Sequence, residues 1–551
     1  MDILGGYVFS PILSLGTRAL TGIPLFRRHL FGTENGTHDV KLPPVAHAGL
    51  LVDKLLKYSI WGRHKIDREL VDELGHVYCM VPPPAFGGGL VKLVVNISDP
   101  VLVKQVLKDT KTFPTRGKSG LSDTVEGGLV ELPTGPRHSF HRRIIGSLLT
   151  DKHLAEYTDT IRAETIFLVH KWAKAATENT VVNAHYDLAC CTHEIIGLIG
   201  LGQRFSSQRI SEEENVDVKD TAFMMRRAAM SSAVGDTALR WLSSSADVSR
   251  ENRIRASGYK ETTHRIRAAL DQKGENGESG EHRANNMVQA LRNAVDEDGA
   301  KLTGQELIDE FITIRGAGHE TTSNTLSWAL LLLAQHPGQQ QRLFEEVDRC
   351  VAGLAPTFEE VENLKFTKCC LYETLRWYPT VPSFPRLSVK DTTLGGYDLP
   401  AGTYIFVSQS ALNRRKDLWG NDADVYKPDR FDREGYSLEL MQSMPKGCPP
   451  IKKWGNSDED SGERLFGFAP FGAGTRTCPG QRLAVLESAI ILAALVKHFK
   501  IELSNGGKEV EERADITLGP KLGLPLKLIF RNKTVYESLA AMSTVHHRAN
   551  L

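Results

Sequence analysis

The sequence predicts one mainly α-helical domain with a smaller β part, and three observations carry that expectation. Thr303-Gly-Gln-Glu306 is a capping-box pattern, and the helical periodicity it opens runs on to Gln335, where His336-Pro337 stops it. At about 1.5 Å per residue such a helix is roughly 50 Å long, enough to cross a large domain. Thr357-Phe-Glu-Glu360 repeats the capping box and opens a helix expected to end before Pro379. The apolar run Leu483–Val496 is too short to span a membrane and reads as a buried core helix. The β part rests on Leu90-Val-Lys-Leu-Val-Val-Asn96, one of the extended, β-like stretches that residues 76–113 include, split by Gly and Pro, and on the strand-like run Tyr404–Val407. From about residue 140 long helical patterns dominate, interrupted by the polar, Gly-rich loop Gly274–Gly280. No internal repeat and no clean linker follows residue 45. The expected division is an N-terminal segment over 1–40, one domain over 41–535 and a tail over 536–551.

Composition bounds the function classes. Hydrophobic residues are 41% and charged residues 24%, ordinary values for a globular chain, so these 551 residues can bury a large core. Lys plus Arg (67) equals Asp plus Glu (67), so no overall field recruits nucleic acid, and no basic stripe appears. None of the eight cysteines forms a C-x-x-C pair, which argues against zinc sites, and so few in so long a chain are no disulfide scaffold. The sequons at Asn35, Asn96 and Asn532 are the kind of triplet that arises by chance. Residues 3–17 carry no charge, Arg18 interrupts, and ALTGIPLF runs on to Arg27-Arg28. A signal anchor or monotopic membrane segment is one reading of that pattern, and the lack of any acid from 3 to 33 also fits a mitochondrial or plastid transit peptide.

The most informative segment is Phe471-Gly-Ala-Gly-Thr-Arg-Thr-Cys478-Pro-Gly480. Glycines before the cysteine permit backbone turns that other residues resist. A tight loop of that kind can aim N–H groups at a sulfur and hold it as thiolate. Arg476 supplies a cation for a carboxylate such as a haem propionate. The segment resembles the haem-binding loop of the cytochrome P450 family, F-x-x-G-x-R-x-C-x-G, with Phe471, Gly474, Arg476, Cys478 and Gly480 at the five fixed positions.

Further matches follow the family's order along the chain. Ala317-Gly-His-Glu320-Thr321-Thr322, in the middle of the long helix, resembles the oxygen-activation motif, small-Gly-x-acid-Thr. Gly316 and Gly318 each weaken a helix by about 1 kcal/mol relative to Ala, which implies a close approach to the backbone or a kink there. Glu373-Thr-Leu-Arg376 matches E-x-x-R, and Pro428-Asp-Arg-Phe431 resembles P-E-R-F with Asp429 in place of Glu. The resemblance makes Glu373, Arg376 and Arg430 a structural triad. His138-Ser-Phe-His-Arg142 resembles W/H-x-x-x-R, whose two ends share a helix face and reach a haem propionate. The alternative there is a solvated basic face made with His141 and Arg143. Arg386 aligns with a further propionate-binding arginine. Two departures stand out, a charged, Pro/Gly-rich insert between Phe431 and Phe471 and Asn413-Arg-Arg415 where many relatives carry His-Arg-Asp.

The resemblance implies a cytochrome P450-type domain with haem b between the long oxygen-activation helix and the cysteine-loop helix. Cys478 is the expected thiolate ligand of the iron. Arg476, His138, Arg142, Arg386, Phe471, Gly472, Gly480 and Ala317 are the expected haem contacts, and Thr321 and Glu320 the oxygen- and proton-handling pair. The implied activity inserts one oxygen atom of dioxygen into a lipophilic substrate of fatty acid, sterol or isoprenoid type, with electrons from NADPH through a reductase. The implied location is a membrane surface, first the endoplasmic reticulum with the domain in the cytosol, alternatively mitochondrion or plastid. A haem-thiolate isomerase working without reductase and a non-catalytic haem sensor are the rival classes. The implied pocket spans residues 115–130, 205–245, 313–321, 381–385 and 518–524, with Val381, Phe384 and Leu522 apolar and Arg226, Arg227 and Lys521 as candidate partners for a carboxylate.

Overall fold

The computed structural model describes most of residues 41–532. It leaves out 1–40, 81–92, 118–124, most of 213–286, 433–465, 505–508, 533–551 and scattered positions between 47 and 62 and at 126 and 297. The longer helices are α1 (Arg63–Leu74), α2 (Pro100–Lys108), α3 (Pro136–Ser147), α4 (Asp151–Thr177), α5 (Ala184–Leu201), α6 (Gly304–Gln335), α7 (Pro337–Cys350), α8 (Lys365–Trp377) and α9 (Gln481–His498). Four strands form the largest sheet. β1 (Val77–Met80) pairs antiparallel with β2 (Leu93–Ile97), which lies parallel to β4 (Thr403–Ser408), and β4 pairs antiparallel with β3 (Ser383–Leu387). A three-stranded sheet has Pro525–Phe530 between Phe499–Leu503 and the short Val182–Asn183, and two-stranded pairs complete the β part.

Local rules and burial explain the main helices. In α6, Thr303 accepts from the Glu306 N–H at 3.1 Å and Glu306 accepts from the Thr303 N–H at 2.8 Å, the expected reciprocal cap. His336 closes the other end, ahead of Pro337. Residues Leu326–Leu333 of α6 are all buried, as are Ser488–Val496 of α9, so both run through the core, packed on each other and on α4, α5 and α8. A helix apolar on all sides is a core helix.

One expectation needs correction, and the stretch 76–113 also holds a helix. The helix begun by Thr357 stops at Asn363, and α8 restarts at Lys365. The cause is tertiary: the buried Glu346 carboxylate of α7 accepts from the N–H groups of Phe366 (2.6 Å) and Thr367 (2.8 Å) and from the Thr367 hydroxyl (2.8 Å), capping a new helix from outside. The stretch 76–113 is not extended throughout. Asp99 caps α2 by accepting from Val101 and Leu102, and Pro100 occupies the first turn, so an Asp-Pro start signal lay inside it. Asn96 is buried within β2, so that sequon is a strand residue. No helix among the described residues is long and apolar enough to cross a membrane, and the N-terminal segment lies outside them.

Candidate active site

The cysteine loop is built from glycine geometry. Gly472 and Gly474 have φ of +69° and +72°, in the left-handed region. A Cβ on Gly474 would stand 2.5 Å from the Leu107 carbonyl oxygen at the end of α2, so that position admits no side chain without moving backbone. The Cys478 N–H donates to the Phe471 carbonyl at 2.7 Å and closes the loop. The Gly480 N–H is directed at the Cys478 sulfur, and a Cβ on Gly480 would come within 3.9 Å of it. Phe471 is half-buried against the core cluster formed around β2 and β4. Cys478 presents open surface, yet burial is the main cause raising its thiol, with the Gly480 N–H and the charges of Arg116 and Arg142 acting the other way. The two facts agree if the sulfur faces an interior space rather than the outer surface.

Beside the loop lies a largely buried cluster of four arginines and a histidine. His138 is buried, and burial together with Arg476, Arg142 and Arg116 pushes its imidazole down to about 3. His141, one turn on, is also buried and bonds Glu310 of α6 at 2.9 Å, so the reading of α3 as a solvated basic face fails. Arg142 donates to the Thr477 carbonyl at 2.6 Å, tying α3 to the residue before the cysteine. Arg386, buried on β3, is pushed down to about 9 by burial and by Arg116 and Arg476. Arg476 is lowered to about 10 by burial and by Arg116 and Arg142. Its guanidinium reaches the Thr134 hydroxyl (3.1 Å) and the carbonyls of Pro114 (3.1 Å), Leu129 (3.4 Å) and Leu132. Arg476 therefore also clamps the 114–134 segment to the loop, a task the motif did not reveal.

Arg116 is the residue that sequence reasoning missed. It bears on all the other members of the cluster, and its buried Nε has no hydrogen-bond partner among the described residues. No described carboxylate forms an ion pair with Arg116, Arg142, Arg386 or Arg476; Glu131 is near enough only to offset part of the repulsion around Arg116 and Arg476. Buried cations without an anion are costly. An orphaned guanidinium nitrogen inside such a cluster fits a ligand that brings carboxylates of its own.

The middle of α6 lines the same region. Ala317 is exposed in a stretch of helix that is otherwise half-buried, and nothing stands where a Cβ on Gly316 would go. A Cβ on Gly318 would lie 3.0 Å from the Ile196 side chain, so this glycine lets α5 approach closely, and α6 runs on unbroken. The Thr321 hydroxyl donates to the Ala317 carbonyl at 2.6 Å. Burial, with the Asp515 charge adding to it, raises the Glu320 carboxyl to about 7 against the nearby Thr517 hydroxyl and the Arg513 charge, and Glu320 Oε2 has no hydrogen-bond partner among the described residues.

The match that places this arrangement among known proteins is broad, a family model for Cytochrome P450 covering residues 43–526. The chain belongs to the cytochrome P450 family. It is therefore a P450-type oxidoreductase, of a family whose cofactor is a thiolate-ligated haem. It is 27% identical over 417 residues to Cytochrome P450 734A1 of Arabidopsis thaliana, spanning 74% of this chain and 73% of that one. Over 403 residues it is 26% identical to cyclooctat-9-en-7-ol 5-monooxygenase of Streptomyces melanosporofaciens, with coverage of 73% and 79%. A bifunctional cytochrome P450/NADPH–P450 reductase of Bacillus cereus is 28% identical over 375 residues, which are 67% of this chain and 31% of that longer protein.

The P450 triad residues meet away from the cysteine. Arg376 makes a two-pronged ion pair with Glu373, 2.7 Å at each contact, and donates to the carbonyls of Asn413 (2.9 Å), Ala423 (2.7 Å) and Val425 (3.1 Å). Arg430 lies 3.4 Å from Glu373 and bonds Asp422 at 2.8 Å. Asp429, the departure from P-E-R-F, takes a two-pronged bond from Arg342 at 2.9 and 3.0 Å, so it anchors α7 and stays outside the triad. Asn413 joins this network through its backbone carbonyl, while its side-chain amide donates to the Leu375 carbonyl at 3.3 Å.

The expected pocket residues divide. Phe384 is half-buried beside Arg386. Leu522 is 79% exposed, so it is a surface residue, and Lys521 bonds Glu511 at 2.6 Å. Arg226 lies within reach of the Asp515 charge. Lys521 is already engaged rather than ready for a substrate carboxylate. Arg227 and the insert 433–465 fall outside the described residues.

Proposed function

We propose that this P450 inserts one oxygen atom of dioxygen into a lipophilic substrate, using two electrons that start on NADPH and arrive through a reductase. The observation that carries the reading is the cluster of Arg116, His138, Arg142, Arg386 and Arg476, buried without a partnering carboxylate, beside a cysteine that faces inward. Haem, when bound, supplies the activation of dioxygen that no side chain here can perform. Cys478 would hold the metal through its sulfur, and the Gly480 N–H and the charges of Arg116 and Arg142 favour its thiolate against the opposing effect of burial. The four arginines would neutralise and orient the propionates, and the neutral His138 would offer an N–H to the same groups. Phe471, Gly472 and Gly480 would shape the sulfur side, and Ala317 would leave room on the side of α6. Thr321 presents a hydroxyl that can leave the Ala317 carbonyl, and Glu320 holds or gives up a proton near neutrality.

The engagement of exposed Lys521 with Glu511 removes one candidate cation for a substrate carboxylate and so weighs toward sterol or isoprenoid substrates over fatty acids, because a buried carboxylate needs a cation. The Streptomyces relative's name, a monooxygenase of a cyclic alcohol, points the same way. The Bacillus relative's fusion to a reductase supports the electron source. The uncharged 3–17 run followed by Arg27-Arg28 supports attachment to a membrane surface, the endoplasmic reticulum first and an organelle second.

The test is the absorbance of dithionite-reduced protein under carbon monoxide, for wild type and Cys478→Ala. A strongly red-shifted Soret band in wild type that the variant lacks is the expected result. A wild-type band at the shorter wavelength of a neutral ligand, in undamaged protein, would sink the oxygenase reading, and turnover of peroxide substrates without reductase would replace it with the isomerase class.

A further inference from the structure

The segment 127–134 is gripped from two sides. The carbonyls of Leu129 and Leu132 and the Thr134 hydroxyl take N–H groups of Arg476. On the other side the segment's own N–H groups meet the first half of α6. Asp309 Oδ2 accepts from the Gly127 N–H at 2.9 Å, and Glu310 Oε2 accepts from the Leu129 N–H at 2.9 Å. The backbone lies close against the helix. A Cβ on Gly128 would collide with the Thr313 hydroxyl, and one on Gly127 would stand 2.9 Å from Asp309 Oδ2. Thr313 is itself fixed, donating to the Asp309 carbonyl at 2.8 Å.

Both carboxylates are braced in turn. Gln305 donates to Asp309 Oδ1 at 2.7 Å. His141 Nδ1 of α3 lies 2.9 Å from the Glu310 oxygen that takes the Leu129 N–H. A carboxylate oxygen accepts, so the ring donates through Nδ1. Asp309, Glu310 and His141 are buried, so water competes little for these bonds.

Leu129 is where the two grips meet, because its N–H donates to Glu310 and its carbonyl accepts from Arg476 Nη1 at 3.4 Å. A guanidinium has five N–H donors in a fixed plane. In Arg476 the Nε donor goes to Thr134, both Nη2 donors go to Pro114 and Leu132, and one Nη1 donor goes to Leu129. The donor left over is the second one on Nη1, the nitrogen that Leu129 holds. Pro114 belongs to the same unit, since its carbonyl also accepts from the Thr134 N–H at 2.8 Å.

We propose that Glu310 and Asp309 are positioning residues for the cofactor. By fixing 127–134 on α6 they set the direction in which Arg476 presents its spare Nη1 donor to a haem propionate, and His141 supports Glu310 in that task. This rests on the reading of Arg476 as a propionate partner.

The experiment is resonance Raman spectroscopy of the propionate bending band in the full-length, haem-loaded protein. Arg476→Lys shows where the band lies when the contact is lost. Glu310→Leu should shift the band toward that position, and should speed haem transfer to apomyoglobin roughly two- to tenfold, the range for one hydrogen bond. Glu310→Gln keeps an acceptor oxygen for the Leu129 N–H and should restore both readings. Asp309→Leu should shift the band the same way by less, and it decides the matter if Glu310→Leu does not fold. Placed in Arg476→Lys, either leucine variant should add no further shift. Loss of stability alone leaves the band of the folded protein where it was. A wild-type band in the leucine variants overturns the proposal, and so does a glutamine as displaced as the leucine, since charge and not position would then be at work. A further shift in the double variants overturns it too, because the acids would act by a route other than Arg476. An unmoved band in Arg476→Lys removes the propionate contact and the proposal with it. The carbon monoxide spectrum reports the sulfur and the Raman band the carboxylates, so failure of the oxygenase reading is visible separately.

Discussion

At the scale of single residues, the deciding feature is charge placed where water is scarce. Arg476, His138, Arg142 and Arg386 were legible in the sequence because each sits in or near a spaced pattern. Arg116 was not, since a lone arginine in Thr115-Arg-Gly117 carries no signal that it will be buried. Only packing of the 114–134 segment onto the cysteine loop, held by Arg476, brings it into the cluster. A hydrogen bond to a charged group contributes about 1.5–3 kcal/mol, so Arg116→Leu should speed haem loss roughly ten- to a hundred-fold. Transfer of haem to a scavenger such as apomyoglobin measures that rate, and an unchanged rate would show that Arg116 does not hold the cofactor. The Glu373–Arg376 pair shows the opposite use of buried charge. Both side chains are buried and fully partnered, so the pair organises backbone from Asn413 to Val425 and leaves nothing for a ligand.

At the scale of elements, glycines mark where segments touch. Gly474 and Gly146 make a paired test because their surroundings differ. Gly474→Ala puts a Cβ against the Leu107 carbonyl in a left-handed conformation, and should destabilise by about 2 kcal/mol or more. Gly146→Ala, inside α3 with nothing within 4 Å, should stabilise by up to about 1 kcal/mol. Urea unfolding of both variants checks the pair, and equal effects would refute the close-approach account. Helix starts read from sequence held where the cap was local, as at Thr303 and Thr357. The restart at Lys365 was not legible, because its cap is Glu346, some 20 residues away on a different helix.

At the scale of the whole molecule, burial of ionisable groups sets a pH dependence of stability. His185 and His319 are lowered to about 4, and His193 well below its ordinary value, all chiefly by burial. Between about 4 and 6.5 the unfolded chain therefore binds more protons than the native one, and the stability present above pH 6.5 is lost as pH falls through that range. Burial raises Glu487 to about 8, so its contribution has the opposite sign: it is present below pH 4.5 and lost as pH rises to 8. The lowered histidines, His138 among them, outweigh the raised carboxyls on the acid side, and between 6.5 and 8 the raised Glu320 and Glu487 act. Stability should peak near pH 6.5 and fall by on the order of a few kcal/mol toward pH 4. Denaturation of the holoprotein across pH 4.5–8.5 measures this, and a steady rise to pH 8 would contradict it. What the sequence determined by itself was whatever depends on neighbours within a turn or a loop. That includes the caps of α6, the core character of α9, the Gly-Cys-Gly loop and the family those motifs announced. The tertiary structure alone decided which charges would lose water together, which helix would cap another, and that His185 of α5 would meet Asn324 of α6. Burial and long-range hydrogen bonds depend on residues far apart in the chain, and no spacing along it encodes them.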